Sequence, residues 1–463
     1  MLALGVLLAT GSAQADTLAD ALARVHASNP TIAAARAGLD ATEAGIGIAR
    51  ADGMPKLRID GEYDRFVRRS VNAFTAPDRA FSAQATLDVP LFAGGRVRNA
   101  VSAAKAGAQA GRADLAATEA EVFVDAVGAY MDVIRDTAIV GLDSNNVAVL
   151  EAELRAARKR FEVGDITRTD VAQSDARLAL ARGKLRTAEA ELDASRQDYQ
   201  RIIGKLPEAL EPPPPLAGLP ATSEAAVDIA LANNPDLEAA KRQAKAADYD
   251  VRAALAERMP KVSAFGTGNY NDYFGTLGGA GNPIGLAQTE TTATVGLRGS
   301  LPIFQGGGTG ARIAQARARR TQSGDKVELA ERAVVADAQT AFSRYAAAKA
   351  VIESSRTAVS ANELAVRGVR AEQTVGTRDV LDVLNAEQEL LDARVNLVTA
   401  ERDAYVRGFA LLAAMGQALL PVEANAATTV ETRPWRRRSP TQWTPESTTK
   451  EYYYIVPQYV SLH

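Results

Sequence analysis

The hexapeptide PLFAGG at residues 90–95 returns later in the chain as PIFQGG at residues 302–307, an offset of 212 residues (302 minus 90). The dipeptide Val163-Gly164 returns as Val375-Gly376 at the same offset. Several landmarks that recur in the same order and at one spacing are the sequence signature of an internal structural repeat. The chain therefore contains two copies of one structural plan.

Landmarks upstream of the hexapeptide repeat at a slightly shorter offset. Asn29-Pro30 returns as Asn234-Pro235, 205 residues further on (234 minus 29), and Pro55-Lys56 returns as Pro260-Lys261. The second copy thus holds seven additional residues (212 minus 205). They fall at residues 275–285, GTLGGAGNPIG, where the glycines and the proline predict a loop.

Each copy begins with alanine-rich helical sequence and continues with two extended runs. We expect helical structure over residues 16–51 and 224–257, ending in each case just before a proline. The extended runs alternate apolar and polar side chains, most clearly at residues 81–89 and 293–301. Alternation with a period of two is typical of strands, so the sequence predicts four strands per chain.

A long helix is predicted after each Gly-Gly pair. The two helices cover residues 95–161 and 308–373, and at about 1.5 Å per residue each forms a rod on the order of 100 Å. The chain then turns at a Val-Gly pair and returns as a shorter helix. In the first return helix large residues recur every seven positions, at Val171, Leu178 and Leu185. This period predicts antiparallel coiled-coil packing.

These patterns divide the chain into five segments. Residues 1–15 form a short apolar run that ends in small residues, as a secretory signal peptide does. Residues 16–205 are the first copy and residues 224–420 the second, and the proline-rich residues 206–223 between them predict an extended connector. Residues 421–463 lose the periodicity and are predicted to be a disordered tail.

Composition excludes most enzyme classes and disfavours nucleic-acid binding. The chain has no cysteine and only two histidines, His26 and His463, which excludes thiolate metal sites, cysteine nucleophiles and histidine-paired triads. Glycines at residues 306–308 precede a helix but lack the Gly-Lys-Ser/Thr ending of a phosphate-binding loop. The net charge of −3, without a long basic stretch in the body of the chain, argues against a nucleic-acid partner. We predict no enzymatic activity, no cofactor and no metal.

The length of the alternating runs suggests a membrane. They have about 9 to 11 residues, the length that a tilted strand needs to cross a bilayer. Unpaired strand edges in hydrocarbon cost several kcal/mol per group, and four strands are too few to close a barrel. If the strands span a membrane, the chain must oligomerise. Two chains would give a barrel filled by side chains, whereas three would give twelve strands and an open conduit.

The order of parts in each copy resembles the TolC family of outer-membrane efflux proteins, and the resemblance covers residues 16–417. It implies a fold that is mainly α with a β-barrel contribution. Long antiparallel coiled-coil helices would form a periplasmic α-barrel, and four membrane-spanning strands per chain would form a twelve-stranded barrel in a homotrimer. The implied function is the outer-membrane exit duct of a tripartite system for type I protein secretion or multidrug efflux. A periplasmic adaptor (membrane fusion) protein and an inner-membrane transporter would open its periplasmic tip.

The resemblance also implies a gate just beyond the Val-Gly turns. Thr169 and Asp170 in the first copy, and Arg378 in the second, match positions that link the coiled coils by salt bridges and hydrogen bonds. Asp382 matches a ring of carboxylates that narrows the tip. Like charges around a narrow axis would favour cations at the entrance.

Two positions depart from the pattern of the family. Asn385 stands where a second acidic residue is common, and Gln373 stands where a gate-linking tyrosine can occur. We therefore expect a weaker resting lock and a less cation-selective constriction. The alternative interpretation of the charged residues is that they only cap helices and face solvent, as charges near a turn commonly do.

The turns themselves match the surface that the adaptor is expected to contact, namely Val163, Gly164, Val375 and Gly376. An alternative function is a soluble periplasmic coiled-coil scaffold without a barrel. The alternating strands favour the duct, because a scaffold of the adaptor type needs one helical hairpin and small β domains rather than a duplicated hairpin.

Overall fold

The computed structural model describes residues 16–68, 77–278 and 285–418. The predicted signal peptide, the predicted tail and residues 279–284 of the inserted loop lie outside these ranges. No helix within the described ranges is both long enough and apolar enough to span a membrane.

The two copies fold into the same order of elements: two helices, two strands, a long helix and a shorter return helix. The first copy consists of α1 (Leu18–Ser28), α2 (Pro30–Ala51), β1 (Lys56–Arg65), β2 (Arg79–Phe92), α3 (Arg96–Glu162) and α4 (Arg168–Ile203). The second consists of α5 (Ser223–Asn233), α6 (Pro235–Leu255), β3 (Lys261–Asp272), β4 (Thr289–Ser300), α7 (Gly308–Thr374) and α8 (Val380–Ala414), with a short 3-10 turn at Ala256–Arg258. The mainly α fold with antiparallel strands is confirmed.

The helical segment expected at the start of each copy is divided in two at its Asn-Pro pair. The side chain of Asn29 accepts a hydrogen bond from the Thr31 amide (2.8 Å) and so caps α2, whose first residue is the proline. Its amide nitrogen donates to the carbonyl of Ile202 at the end of the return helix (3.1 Å). Asn234 repeats both roles, donating to the carbonyl of Ala414 (3.0 Å). The repeated asparagine thus joins the first and last helices of its copy.

The four strands form one antiparallel sheet in the order β1-β2-β3-β4. The central pair joins the two copies, since β2 belongs to the first and β3 to the second. The outer edges of β1 and β4 have no strand partner among the described residues. Their backbone groups are therefore available for pairing with another chain.

The sheet has one apolar and one polar face. Residues directly opposite each other in an antiparallel pair point to the same side. The register places Leu57 opposite Leu87, Leu87 opposite Gly266, and Gly266 opposite Val295, so these residues share one side with the other apolar positions. Val295 is 86% exposed in the single chain. The opposite side carries mainly charged, amide and hydroxyl side chains, together with Phe265, whose ring lies under the guanidinium of Arg298.

The helices pack as two hairpins, α3 with α4 and α7 with α8, that contact each other mainly through α3 and α8. Within this contact Arg402 of α8 binds Asp132 of α3 by a hydrogen bond of 3.0 Å from a guanidinium Nη nitrogen to a carboxylate oxygen. Nearby, the buried Tyr130 hydroxyl lies 2.9 Å from the carbonyl oxygen of Asp16 and 2.7 Å from that of Glu211. This region therefore joins both hairpins and the connector.

Each long helix starts at a Gly-Gly turn in which the first glycine has a positive φ, +60° at Gly94 and +57° at Gly306. The surroundings of the two glycines differ. A Cβ atom on Gly94 would overlap with the side chain of Met259 and lie 3.0 Å from the carbonyl oxygen of Ala256, whereas a Cβ on Gly306 would meet no described atom within 4 Å. Only the first turn is packed against the other copy.

We predict that Gly94→Ala lowers the apparent melting temperature more than Gly164→Ala does, because a Cβ on Gly164 (φ +79°) would meet no described atom within 4 Å and Gly164 lies away from the sheet edges. Both substitutions place alanine at a left-handed φ, which costs roughly 1–2 kcal/mol. Gly94→Ala adds an overlap of the kind that costs about 1–3 kcal/mol in a packed site. The measurement is thermal unfolding of the purified protein followed by circular dichroism. Equal shifts for the two variants would contradict the packing at Gly94.

Candidate functional site

The tips of the two hairpins have the same backbone turn. Gly164 and Gly376 follow the last helical residues with φ of +79° and +82°, and each amide donates to a carbonyl three residues earlier. For Gly376 the accepting carbonyl belongs to Gln373, which places Gln373 in the last turn of α7. The valines before the glycines are 79% exposed at Val163 and 75% exposed at Val375. Each tip thus presents an apolar side chain to solvent.

Asp170 lies in the first turn of α4 and binds within its own helix. Its carboxylate accepts hydrogen bonds from the amide and the hydroxyl of Thr167, both at 2.8 Å, and the Thr167 hydroxyl accepts from the Asp170 amide (3.3 Å). This reciprocal arrangement is a capping box, which stabilises the start of a helix. Thr169 beside it is exposed. In the single chain neither residue links the two hairpins.

Arg378 lies in the turn between α7 and α8 and binds carboxylates on both sides of it. Its guanidinium Nε donates to Glu372 (2.9 Å), and an Nη atom lies 3.5 Å from a carboxylate oxygen of Asp382. The hydrogen bond to Glu372, together with the charge of Asp382, raises the pKa of Arg378. Both partners belong to the same hairpin, so these contacts fix the shape of the second tip.

Asn385 makes the polar contact that joins the two hairpins near their tips. Its side-chain oxygen accepts a hydrogen bond of 2.7 Å from Arg177 of α4. Sequence reasoning identified Asn385 as a departure from the family pattern and did not identify Arg177. The sequence did contain a signal for Arg177. It directly precedes Leu178, which lies in the coiled-coil seam, and residues that flank such a seam commonly determine which helix packs against it.

An apolar cluster supports this hydrogen bond. It brings together two residues from each of three helices, α3, α4 and α8, which are Leu150, Leu154, Leu178, Ala181, Val380 and Leu384. All six are buried in the single chain. The hairpins are therefore held together near the tips by a small apolar contact and one exposed hydrogen bond.

The side of α8 that faces α7 carries an ion pair in which only the carboxylate is buried. The Glu387 side chain is only 8% exposed and binds the guanidinium of Arg370 on α7, with 3.1 Å to Arg370 Nε and a shorter contact to a second nitrogen. The second carboxylate oxygen of Glu387 is buried and makes no hydrogen bond within the described residues. Sequence reasoning missed both residues, since the heptad pattern gives no signal for a buried charge.

Glu153 of α3 adds a second carboxyl to this region. Burial raises the pKa of Glu153, the negative charge of Glu387 raises it further, and the charges of Arg370 and Arg160 oppose the shift. Glu153 and Glu387 belong to different hairpins. Their repulsion when both are ionised therefore weakens the contact between α3 and α8.

The described residues bring together no group of three or more histidine, aspartate or glutamate side chains suited to hold a metal ion. What the geometry does provide is two helical hairpins that meet near their tips through one apolar cluster and the hydrogen bond between Arg177 and Asn385. Such a contact can exist in two states without unfolding of either hairpin.

Comparison with known proteins gives a family match for both copies of the repeat. Residues 21–205 and 226–417 match the sequence model of the outer membrane efflux protein family, one match for each copy. The chain is 33% identical over 414 residues to the outer membrane efflux protein BepC of Brucella suis biovar 1 (strain 1330), covering 89% of this chain and 88% of BepC.

Two further proteins are similar over most of their length. The outer membrane protein TolC of Escherichia coli (strain K12) is 25% identical over 440 residues, which are 91% of this chain and 87% of TolC. The crystal structure of the outer membrane protein VceC from Vibrio cholerae superimposes with a TM-score of 0.71 at 21% identity, covering 86% of this chain and 96% of VceC. The similarity to VceC shows the same fold.

We predict that acid strengthens the contact between α3 and α8. A carboxyl whose pKa is raised in the folded protein contributes stability at low pH that is lost as the pH rises through the folded pKa. Glu153→Gln, which resembles the protonated form, should therefore slow amide hydrogen exchange in residues 380–392 at neutral pH and reduce its pH dependence. Exchange is measured by mass spectrometry and corrected for the intrinsic effect of pH.

The matched control for this variant is Glu151→Gln, since Glu151 lies one position after the buried Leu150 but pairs with Arg182 inside the first hairpin. Glu151→Gln should leave exchange in residues 380–392 unchanged. A wild-type exchange rate that shows no corrected pH dependence would contradict the role of Glu153.

Proposed function

The chain belongs to the outer membrane efflux protein family, and on this basis we propose how its hairpin tips act as a gate. Members of the family are outer-membrane channel proteins rather than enzymes, and the chain is an outer-membrane exit duct for efflux or type I secretion, with a periplasmic helical tunnel. The family assignment favours this function over that of a soluble periplasmic scaffold.

The duct is a homotrimer in this proposal. The supporting observation is the sheet, whose apolar face is exposed in the single chain and whose edge strands β1 and β4 lack partners among the described residues. Outer-membrane lipid would cover the apolar face, and pairing of β4 with β1 of the next copy would satisfy the edges. Three copies give twelve strands, and three is the smallest number of four-stranded chains that gives an open barrel.

The gate is the contact between the two hairpins near their tips. The single observation that supports it best is the hydrogen bond between Arg177 and Asn385, because it links α4 to α8 beside a small apolar cluster. Opening separates α8 from the first hairpin. Of the positions expected from the sequence, Asn385 lies in this contact, whereas Asp170 and Arg378 stabilise the turns that hold it in place.

Three predicted gate positions act around the axis of the trimer in this proposal. Asp382 supplies a ring of three carboxylates that narrows the entrance and favours cations. Thr169 and Gln373 lie next to it on the two tips and would contact the neighbouring copy.

We predict that Arg177→Met increases the fraction of time for which single channels are open in a planar bilayer. A charge-assisted hydrogen bond at an exposed site contributes about 1 kcal/mol, so its loss should increase the open fraction about fivefold. Arg182→Met is the matched control, because Arg182 lies on the same helix and its bond of 2.7 Å to Glu151 stays within the first hairpin.

The Arg378→Ala variant is measured in the same experiment. An increase with Arg177→Met alone assigns the lock to the contact between hairpins, and an increase with Arg378→Ala alone assigns it to the second tip. Insertion without an increase in either variant would exclude this gate and leave the duct intact. The mass of the solubilised particle, which we expect to equal three chains, is determined on the same preparation.

An adaptor, acting with an inner-membrane transporter, opens the gate by docking at the tips in this proposal. The support is the exposure of Val163 and Val375, which the left-handed turns at Gly164 and Gly376 hold at the end of each hairpin. Exposed apolar side chains at a rigid turn suit docking of a second helical hairpin.

We predict that a photoreactive benzophenone residue at position 163 cross-links to a periplasmic adaptor in intact cells. The matched control is the same residue at position 329, since Leu329 is also exposed in the single chain but lies far from the tips on α7. Adducts are identified by mass spectrometry. An adaptor adduct that is equally strong at both positions, or absent at position 163, would contradict docking at the turns.

A further inference from the structure

A groove of about 600 Å³ lies where α3, α4 and α8 meet, away from the tips. Its lining residue on α3 nearest the tip is Asp143, which is 21 residues before Gly164 and hence about 30 Å from the tip turn. A volume of this size is in the range of sites that hold small organic molecules. None of its lining residues is among the gate positions described above.

The walls of the groove combine apolar side chains with carboxylates. Ile139, Leu180, Leu391 and Val395 supply apolar surface from all three helices. The carboxylates belong to Asp136, Asp143, Glu191 and Asp392, against the single ammonium group of Lys184. The groove is therefore both apolar and acidic.

Three of these carboxylates have a partner or face solvent. Asp136 is held by Arg135 (2.7 Å) and by the hydroxyl of Ser195. Asp392 accepts a hydrogen bond from Gln388 (2.8 Å) and lies 3.7 Å from the ammonium of Lys184. The side chain of Glu191 is exposed.

Asp143 differs from the other three. It is only 7% exposed, it lines the groove, and within the described residues it makes no hydrogen bond or ion pair. Burial raises the pKa of Asp143, and the nearby charge of Lys184 only partly opposes the shift. A buried carboxylate without a partner is costly, whereas one that meets a cation inside the groove is stabilised.

We propose that this groove binds small organic cations that carry a protonated amine on an apolar body. The ammonium group would pair with Asp143, and the body would lie against Leu180 and Leu391. Lys184 would compete for the same carboxylate, because its own partner Asp392 is 3.7 Å away and exposed. This inference depends on neither the gate nor the trimer.

The test uses the full-length protein purified in detergent and 2-phenylethylammonium as the probe, with binding measured by saturation-transfer NMR. The neutral 2-phenylethanol and the anionic 3-phenylpropanoate are the ligand controls. We expect the ammonium compound to bind at least tenfold more tightly than either control. Equal binding of the alcohol would overturn the proposal, because the groove would then recognise only the apolar body.

Three variants assign the site. Asp143→Asn keeps the size of the side chain and should weaken binding of the ammonium compound at least tenfold, whereas Asp125→Asn, at an exposed position on the same helix, should have no effect. Lys184→Gln should strengthen binding severalfold by removing the competing ammonium. Unchanged affinity in both Asp143→Asn and Lys184→Gln would overturn the proposal. Since no conduction is measured, that result would leave the duct and its gate untouched.

Discussion

The unpaired edges of the four-stranded sheet are the constraint on which the rest of the structure depends. A sheet with one apolar face cannot remain open in hydrocarbon, because each unpaired backbone group costs several kcal/mol there. β2 and β3 close the inner seam between the copies, which leaves only β1 and β4 to be paired. In the proposed trimer every helix then continues a ring whose order is set by the strands. The proposed gate lies at the far end of the same ring.

Much of the fold could be predicted from the sequence because its signals are local. Alternation fixes the faces of the strands, paired glycines mark the starts of the long helices, and heptads mark the return helices. The division at Asn29 has a local signal, an N-cap asparagine followed by a proline, but the bond from Asn29 to the carbonyl of Ile202, 173 residues away, has none. The local helix propensity of a residue does not indicate which distant group its side chain will bind.

The candidate site was less predictable than the fold. Thr167 and Asp170 have the spacing of a capping box, so the local role of Asp170 could have been read from the sequence. The bond between Arg177 and Asn385 depends on how one hairpin is rotated against the other. A heptad pattern defines the seam inside each hairpin but not that rotation. The same limit applies to Glu387, whose burial results from the packing of α8 between α7 and α3.

In the proposed opening, the ion pair between Arg402 and Asp132 is the fulcrum, the fixed point about which α8 rotates. Asn385 lies 17 residues from Arg402 along the same helix, which is a lever arm of about 25 Å at about 1.5 Å per residue. A rotation of about 10° about the fulcrum moves the end of such an arm by about 4 Å, which exceeds the length of the bond that Asn385 makes. In the proposed opening, a small angular change at this ion pair would therefore separate the tips while the helices around Arg402 and Asp132 stay packed.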